Sequence, residues 1–294
     1  MCPQSGDGFA HLRIIHHICT MQVKHLVLTV LGFALVTGLM AQVEVQAMTF
    51  NIRYDNPEDP LLWKNRRDEV ATAMIFHDIV GVQEALYHQV LDLHQRLPDH
   101  DWFGVGREDG MLRGEFCPVF YNRHTFTFVH GETIWLSPNS RSAGSIGWDA
   151  VLPRIATILI LQHNATGKTV RVINTHFSHV GEEARENSAR LIRGYAVNAP
   201  EDFTLIMGDM NATPEEPASE ILAESPFEDS YYSSEQRCRP QFNTWCTFYT
   251  NEPMNKRIDH IYVNFPVVWT CIEEVIKWGY FISDHHPVYI VFRV

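Results

Sequence analysis

The sequence is short of positive charge, has no metal-binding cysteine pattern and contains no apolar run long enough for a membrane helix. Lysine and arginine number 23 against 35 aspartates and glutamates, a formal net charge of −12. Phosphate contacts from a basic face dominate duplex affinity, so stable duplex DNA binding is not expected. No Cys-x-x-Cys or Cys/His spacing suits a structural zinc site. No repeat of roughly 20 to 50 residues is present, which excludes a solenoid. The longest apolar stretch, residues 26–41, follows Lys24 and ends in small residues before Gln42. It is too short to span comfortably and reads as a secretory signal peptide starting at Met21, in preference to a single-span anchor. No cysteine stands at the cleavage point, which disfavours a lipoprotein. Residues 1–41 are therefore set apart as an N-terminal extension and signal peptide. The protein is expected to be exported, periplasmic or secreted, with no permanent membrane anchor.

Four cysteines lie beyond that leader: Cys117, Cys238, Cys246 and Cys271. Export permits disulfides. Cys238 and Cys246 are near enough in sequence to bridge a loop; four free, partly buried thiols are the alternative.

What is present is an interleaving of strand and helix patterns. "VEVQAMTFNIRYDN" (43–56) and "DIVGVQE" (78–84) read as strands that end in polar residues, and "RRDEVATAMIFH" between them as a helix. Leu86, Val90, Leu93 and Leu97 recur at helical spacing up to Pro98. "CPVFYN" and "FTFVHGETIWL" read as strands, and "NSRSAGSIGWDAVLP" (139–153) as a long loop. Residues 154–177 form a predicted hairpin. Ala184, Ser188, Leu191, Ile192 and Tyr195 mark a helix face, and "FTLIMGDMN" (203–211) a buried strand. Thr213, Pro214 and Glu216 fit the N-cap, first-turn proline and capping-box acid of a short helix. Residues 257–265, 267–278 and 287–294 read as closing strands. No linker divides the chain, so residues 43–294 are expected to form one α/β domain of two packed sheets flanked by helices.

The informative feature is where polar groups fall. Asn51 follows "MTF", Glu84 follows "VGVQ", and Asn174 and His176 follow "VRVI". Asp209 and Asn211 end "LIMG", Asp284 and His285 precede "PVYIVF", and Asp259 lies in "RIDHIYV". A charge at a strand end is tolerable in water and costly when buried unpaired. Converging ends would make a rim of carboxylates, amides and imidazoles. That set suits a hard divalent cation, Mg²⁺ or Mn²⁺, better than zinc.

Six stretches, "TFNIR", "VGVQE", "NTHF", "GDMN", "RIDHIYV" and "SDHHP", resemble in order the endonuclease/exonuclease/phosphatase superfamily, near its deadenylase-like branch. The resemblance spans nearly all of residues 48–290. It implies a four-layer α/β/β/α sandwich of two packed mixed β-sheets flanked by helices. It implies Glu84 and Asn51 as metal ligands, with Asp284 reaching the same cation or its waters. Asp209 would orient or deprotonate a water, Asn211 would hold it and a phosphate oxygen, and His285, backed by Asp259, would contact the phosphoryl group. His176 would act from the other side, with Asn174 supporting its strand end. Asp209 and His285 remain alternative bases. "GEFCPVFYN" departs from the family at Cys117-Pro118, which leaves one pocket wall undefined.

Bland readings compete for other residues. Arg53, Arg154 and Trp148 are candidate substrate-binding residues or plain loop residues. His179 suits a loop near the rim, His260 the core, and Trp63 and Arg67 packing and surface. His286 should turn away from the rim, because adjacent strand residues face opposite ways. The expected activity is that of an exported metal-dependent phosphoesterase, with a diester favoured over a monoester. The alternative is a non-catalytic binding or toxin-like module. The phosphoester substrate and the oligomeric state are not legible.

Overall fold

Alternation in the first strand explains both of its faces. Strand β1 (Glu44–Asn51) sends Met48 and Phe50 into an apolar cluster, while Thr49 and Asn51 point the other way and are also buried. A strand buried on both faces belongs inside a layered fold. A computed structural model describes residues 42–239, 243–252 and 256–294, and the proposed leader lies outside them. Residues Glu44–Val294 form one compact unit. No helix among the described residues is long and apolar enough to cross a membrane.

The chain continues through α1 (Trp63–Met74), β2 (Ile79–Gln83), α2 (Tyr87–Arg96), β3 (His100–Phe103), β4 (Val119–Asn122) and β5 (Phe126–Trp135). The hairpin β6 (Ile155–His163) and β7 (Thr169–His176) leads to α3 (Glu182–Ala196), β8 (Phe203–Asp209) and α4 (Pro217–Leu222). Short elements β9 (Glu228–Asp229), α5 (Ser230–Ser233) and β10 (Gln236–Arg237) precede β11 (Asp259–Val263) and β12 (Val267–Ile272). A small hairpin, β13 (Ile276–Lys277) and β14 (Tyr280–Phe281), precedes β15 (Val288–Arg293).

Two mixed sheets result. One has the order β10-β12-β15-β1-β2-β4-β3 and the other β5-β6-β7-β8-β11-β9. Val70, Met74, Val90 and Leu93 of α1 and α2 cover the first sheet through Met48, Phe50, Val80 and Val82. Ala189, Ile192, Ala218 and Leu222 of α3 and α4 cover the second through Ile158, Ile173 and Ile206. The layers are therefore helix, sheet, sheet, helix, as the resemblance implies. The central strands β1 and β2 face β7 and β8. Close approach there requires small residues: a Cβ on Gly81 would stand 2.7 Å from the Asn174 side chain.

Three local expectations are corrected. Helix α4 starts at Pro217, not Thr213, because the residue before a proline avoids helical geometry and Glu216 is extended (φ −84, ψ 146). Glu216 still accepts the Thr213 N–H at 2.5 Å, but across a turn. The run 267–278 is not one strand. It stops at Ile272, and Trp278 (φ 54) and Gly279 (φ 85) form the two-residue turn of the β13–β14 hairpin. The disulfide joins Cys238 to Cys271, not Cys246: β10 pairs with β12 beside it and brings the two Cα atoms to 4.8 Å. Cys246 is a buried free thiol against the Ser283 carbonyl.

Candidate active site

Sheet register lines up three of the polar residues. His176 ends β7 opposite Asp209 of the parallel strand β8, and Asp209 stands opposite Asp259 of the antiparallel strand β11. From the facing sheet, Asn51 ends β1 opposite Gln83, and Glu84 follows directly. The Asn51 amide ties the two sheets together, donating to Glu84 Oε1 at 3.1 Å and to Asp209 Oδ2 at 3.0 Å. Its Oδ1 accepts the Arg53 N–H at 3.0 Å. Asn51, expected to ligate a metal, thus lies against both carboxylates; here its amide nitrogen faces them, and a half-turn of the amide would present its oxygen instead.

The loop after β14 brings in the remaining groups. Ser283 donates to the Asn51 carbonyl at 2.7 Å. His285 Nδ1 lies 2.9 Å from Asp259 Oδ2, and its Nε2 lies 3.7 Å from Asp209 Oδ2. Asp259 is held in place through its own N–H, which donates to Thr244 Oγ1 at 3.0 Å. His176 Nε2 approaches Asp209 Oδ2 from the other side at 3.4 Å. Asn211 donates its backbone N–H to Asp209 Oδ1 at 2.9 Å, and its amide to the Phe177 carbonyl at 3.1 Å. His286 packs edge-on to Phe281 at 4.6 Å, away from this cluster.

These residues form one end of a cleft of about 560 Å³. Glu84, His176, Asp209, Asn211, Asp284 and His285 line it. So do Arg53 and Arg154, but not Trp148, which sits with positive φ in the 139–153 loop. Asn174, expected at the catalytic rim, lies beneath it. Its amide donates to the Val82 and Pro118 carbonyls, and its oxygen accepts from Gln83 at 2.6 Å. It is a fully buried clamp between the sheets.

Three lining residues, Arg53 (φ 59), Glu84 (φ 61) and Asn211 (φ 46), adopt left-handed backbone geometry. That conformation is costly for residues with a Cβ and persists where surrounding structure enforces it. Tyr54 N–H donates to Glu84 Oε2 at 3.2 Å and is one such constraint.

The electrostatics separate the two imidazoles. Burial would lower His285, but Asp259 first and then Asp209 hold it well above the ordinary histidine value, so it is a cation at neutral pH. Burial, then Arg154 and Arg107, push His176 well below that value, so it is neutral. Burial raises Asp209 to about 7, against the pull of His285. Burial likewise raises Asp284, which the Arg53 guanidinium approaches at 3.5 Å.

The far side of the cleft carries groups that strand-end reasoning missed. Arg107 pairs with Glu115 at 2.6 Å, and Arg154 Nη2 lies 2.9 Å from His179 Nδ1. Arg154 Nη1 is buried without a hydrogen-bond partner among the described residues. Arg185, Glu216, Trp245 and Lys256 complete the lining. These residues come from separate loops and a helix, so no periodic signal marks them. Only the acid in "GEFCPVF" hinted at Glu115.

The carboxylates Glu84, Asp209 and Asp284 with neutral His176 make a donor set that suits a hard divalent cation. Glu84, His176 and Asp209 each offer a ligand atom within 4.8 Å of the others. Burial is the main cause of the raised proton affinity of Asp209 and Asp284, and a bound cation would favour their charged forms. The residues present fit such an ion.

Comparisons with known proteins place the chain in a family. A comparison with curated protein sequences gives no match. Among solved structures, an endonuclease/exonuclease/phosphatase from Bacteroides vulgatus is 38% identical, with a TM-score of 0.78 over 85% of this chain and 98% of that one. A mannosyl-6-phosphatase from Bacteroides thetaiotaomicron is 30% identical, with a TM-score of 0.78 over 85% and 99%. TDP2 from D. rerio, at 18% identity and a TM-score of 0.67 over 85% and 99%, shares the fold. The profile of the endonuclease/exonuclease/phosphatase family matches residues 48–285, from the strand that carries Asn51 to His285 itself. With that span, those relatives and the strand-end constellation in one cleft, the chain belongs to the endonuclease/exonuclease/phosphatase family.

Proposed function

We propose that this protein is an exported, divalent-cation-dependent phosphoesterase that hydrolyses the terminal phosphate of a small polar molecule. One observation carries the reading: Asp209 stands between two imidazoles, His285 at 3.7 Å and His176 at 3.4 Å, in a cleft lined by both carboxylates and cations. The apolar run at residues 26–41 supports export.

Asp209, raised by burial, has the proton affinity to take a proton from a water near neutral pH. Asp259 and Asp209 hold His285 towards its charged form, which favours Asp209 over His285 as that base. The His285 charge, sustained by Asp259, stabilises non-bridging oxygens as negative charge builds on them. His176 Nε2 lies 3.4 Å from Asp209 Oδ2; in the tautomer with the proton on Nε2 it would donate to a phosphoryl oxygen or the leaving oxygen and would not ligate the cation. Arg154 Nη1 offers a further donor. Glu84 and Asp284 would hold Mg²⁺ or Mn²⁺, which would supply Lewis acidity at the phosphoryl group when bound, and Asp209, the proposed base, stays outside that ligand set.

The sequence alone favoured a diester. The cleft, with carboxylates Glu115 and Glu216 along its walls, suits a compact substrate better than a polyanionic strand. The mannosyl-6-phosphatase likeness supports a sugar phosphate. The test is phosphate release from hexose phosphates, nucleotides and phosphomonoester headgroups, and p-nitrophenol release from bis-p-nitrophenyl phosphate, with EDTA and with Mg²⁺ or Mn²⁺ restored. Release from a monoester that EDTA abolishes is expected. No release from any ester with either ion refutes the reading.

A further inference from the structure

Trp245 is out of place on an ordinary surface. Its backbone bridges Lys256 on one side and His285 on the other, and its N–H donates to the Lys256 carbonyl at 2.8 Å. The next residue, Cys246, donates its N–H to the Asp284 carbonyl at 2.8 Å, and Thr244 O accepts from His286 N–H at 2.8 Å. The indole is thus carried on backbone laced directly to the segment that holds His285. Yet it stays 37% exposed and lines the cleft. Burying an indole is favourable, so one left open beside a catalytic cation stands ready for a ligand face.

Lys256 and the apolar Ile258 line the same cleft, as do Glu216 and Arg185, 3.9 Å apart. Among the described residues, no second aromatic ring pairs with Trp245; Tyr54 engages the Arg53 guanidinium at 4.7 Å. A sugar ring has one apolar C–H face and an edge of hydroxyls. Such a ring meets an aromatic platform on one side and needs both acceptors and donors around its edge. Trp245 supplies the platform, Glu216 the acceptor, and Arg185 and Lys256 the donors. Glu216 would repel a second phosphate on the leaving group.

We infer that Trp245, with Glu216, Arg185 and Lys256, forms a leaving-group subsite that selects a neutral, polyhydroxylated ring. This rests on the phosphoesterase reading and adds specificity to it. Trp245 is a positioning residue and touches no reacting atom.

The test is a selectivity ratio, kcat/KM for a hexose 6-phosphate over kcat/KM for methyl phosphate, which has no ring. W245A is expected to lower the ratio about ten-fold, chiefly through KM, the scale of one good stacking contact. W245F, which keeps a flat face, is expected to recover most of it. Circular dichroism checks that both variants fold. An unchanged ratio in W245A overturns the inference, as does wild-type preference for a nucleoside 5′-phosphate over the hexose phosphate. If wild type hydrolyses neither ester but does hydrolyse another ester of the panel, the subsite inference alone is overturned; if it hydrolyses none, the phosphoesterase reading fails as well.

Discussion

His285 and Asp259, 26 residues apart in sequence, meet at 2.9 Å through Nδ1 and Oδ2, and both are buried. The contact fixes the ring and leaves Nε2 directed at the Asp209 side of the cleft. Replacing Asp259 with asparagine keeps the shape but removes the largest influence that raises His285. Turnover should fall by roughly 10- to 100-fold, as for other residues that orient a catalytic group.

The same variant has a pH signature. Catalysis needs charged His285, so activity should hold through neutral pH and decline as pH rises through its raised value. In D259N that value drops, and the alkaline limb of kcat/KM should move to lower pH. A limb that stays in place would separate the pair from catalysis.

Asn174 should report on stability more than chemistry. Its amide satisfies two buried carbonyls and its oxygen accepts from Gln83. N174A would leave these groups unpaired at a cost of about 2–4 kcal/mol, seen as a lower urea midpoint. Under conditions where the variant is folded, kcat should stay within about ten-fold of wild type. A larger loss in folded protein would return Asn174 to the catalytic group.

Acid should weaken the fold through His77 and His286, both pushed down to about 4 by burial. Above about pH 6.5 neither state carries these protons. As pH falls towards 4, the unfolded chain takes them up and the native state does not, so stability falls with pH. Each site contributes at most about 3 kcal/mol to that fall. Urea midpoints at pH 8, 6 and 4.5 should decline, and H286Q should flatten the decline while keeping turnover.

The Cys238–Cys271 bridge closes a loop across 33 positions. Chain-entropy reasoning gives it about 3–4 kcal/mol. Reduction, or C238S with C271S, should lower Tm by several degrees, with no comparable effect from C246S.

The layered fold and the rim were legible because both rest on periodicity. Apolar strands such as "LIMG" end where the sheets end, so Asp209 and His176 had to emerge together. Other features depend on partners remote in sequence. The cysteine pairing follows from β10 lying beside β12, which no spacing reveals. The hairpin turn uses Trp278 at positive φ, where glycine or asparagine is the usual signal. Arg107, Glu115 and Trp245 reach the cleft from loops, where no period applies.

The central claim is that His285 acts in phosphoester hydrolysis at this cleft. It is tested most directly by inorganic phosphate release from a hexose 6-phosphate with Mg²⁺ or Mn²⁺, for wild type and a folded H285A variant side by side. The account predicts release by wild type and a loss of about 10²–10³-fold or more in H285A. Equal release by the two proteins would contradict it.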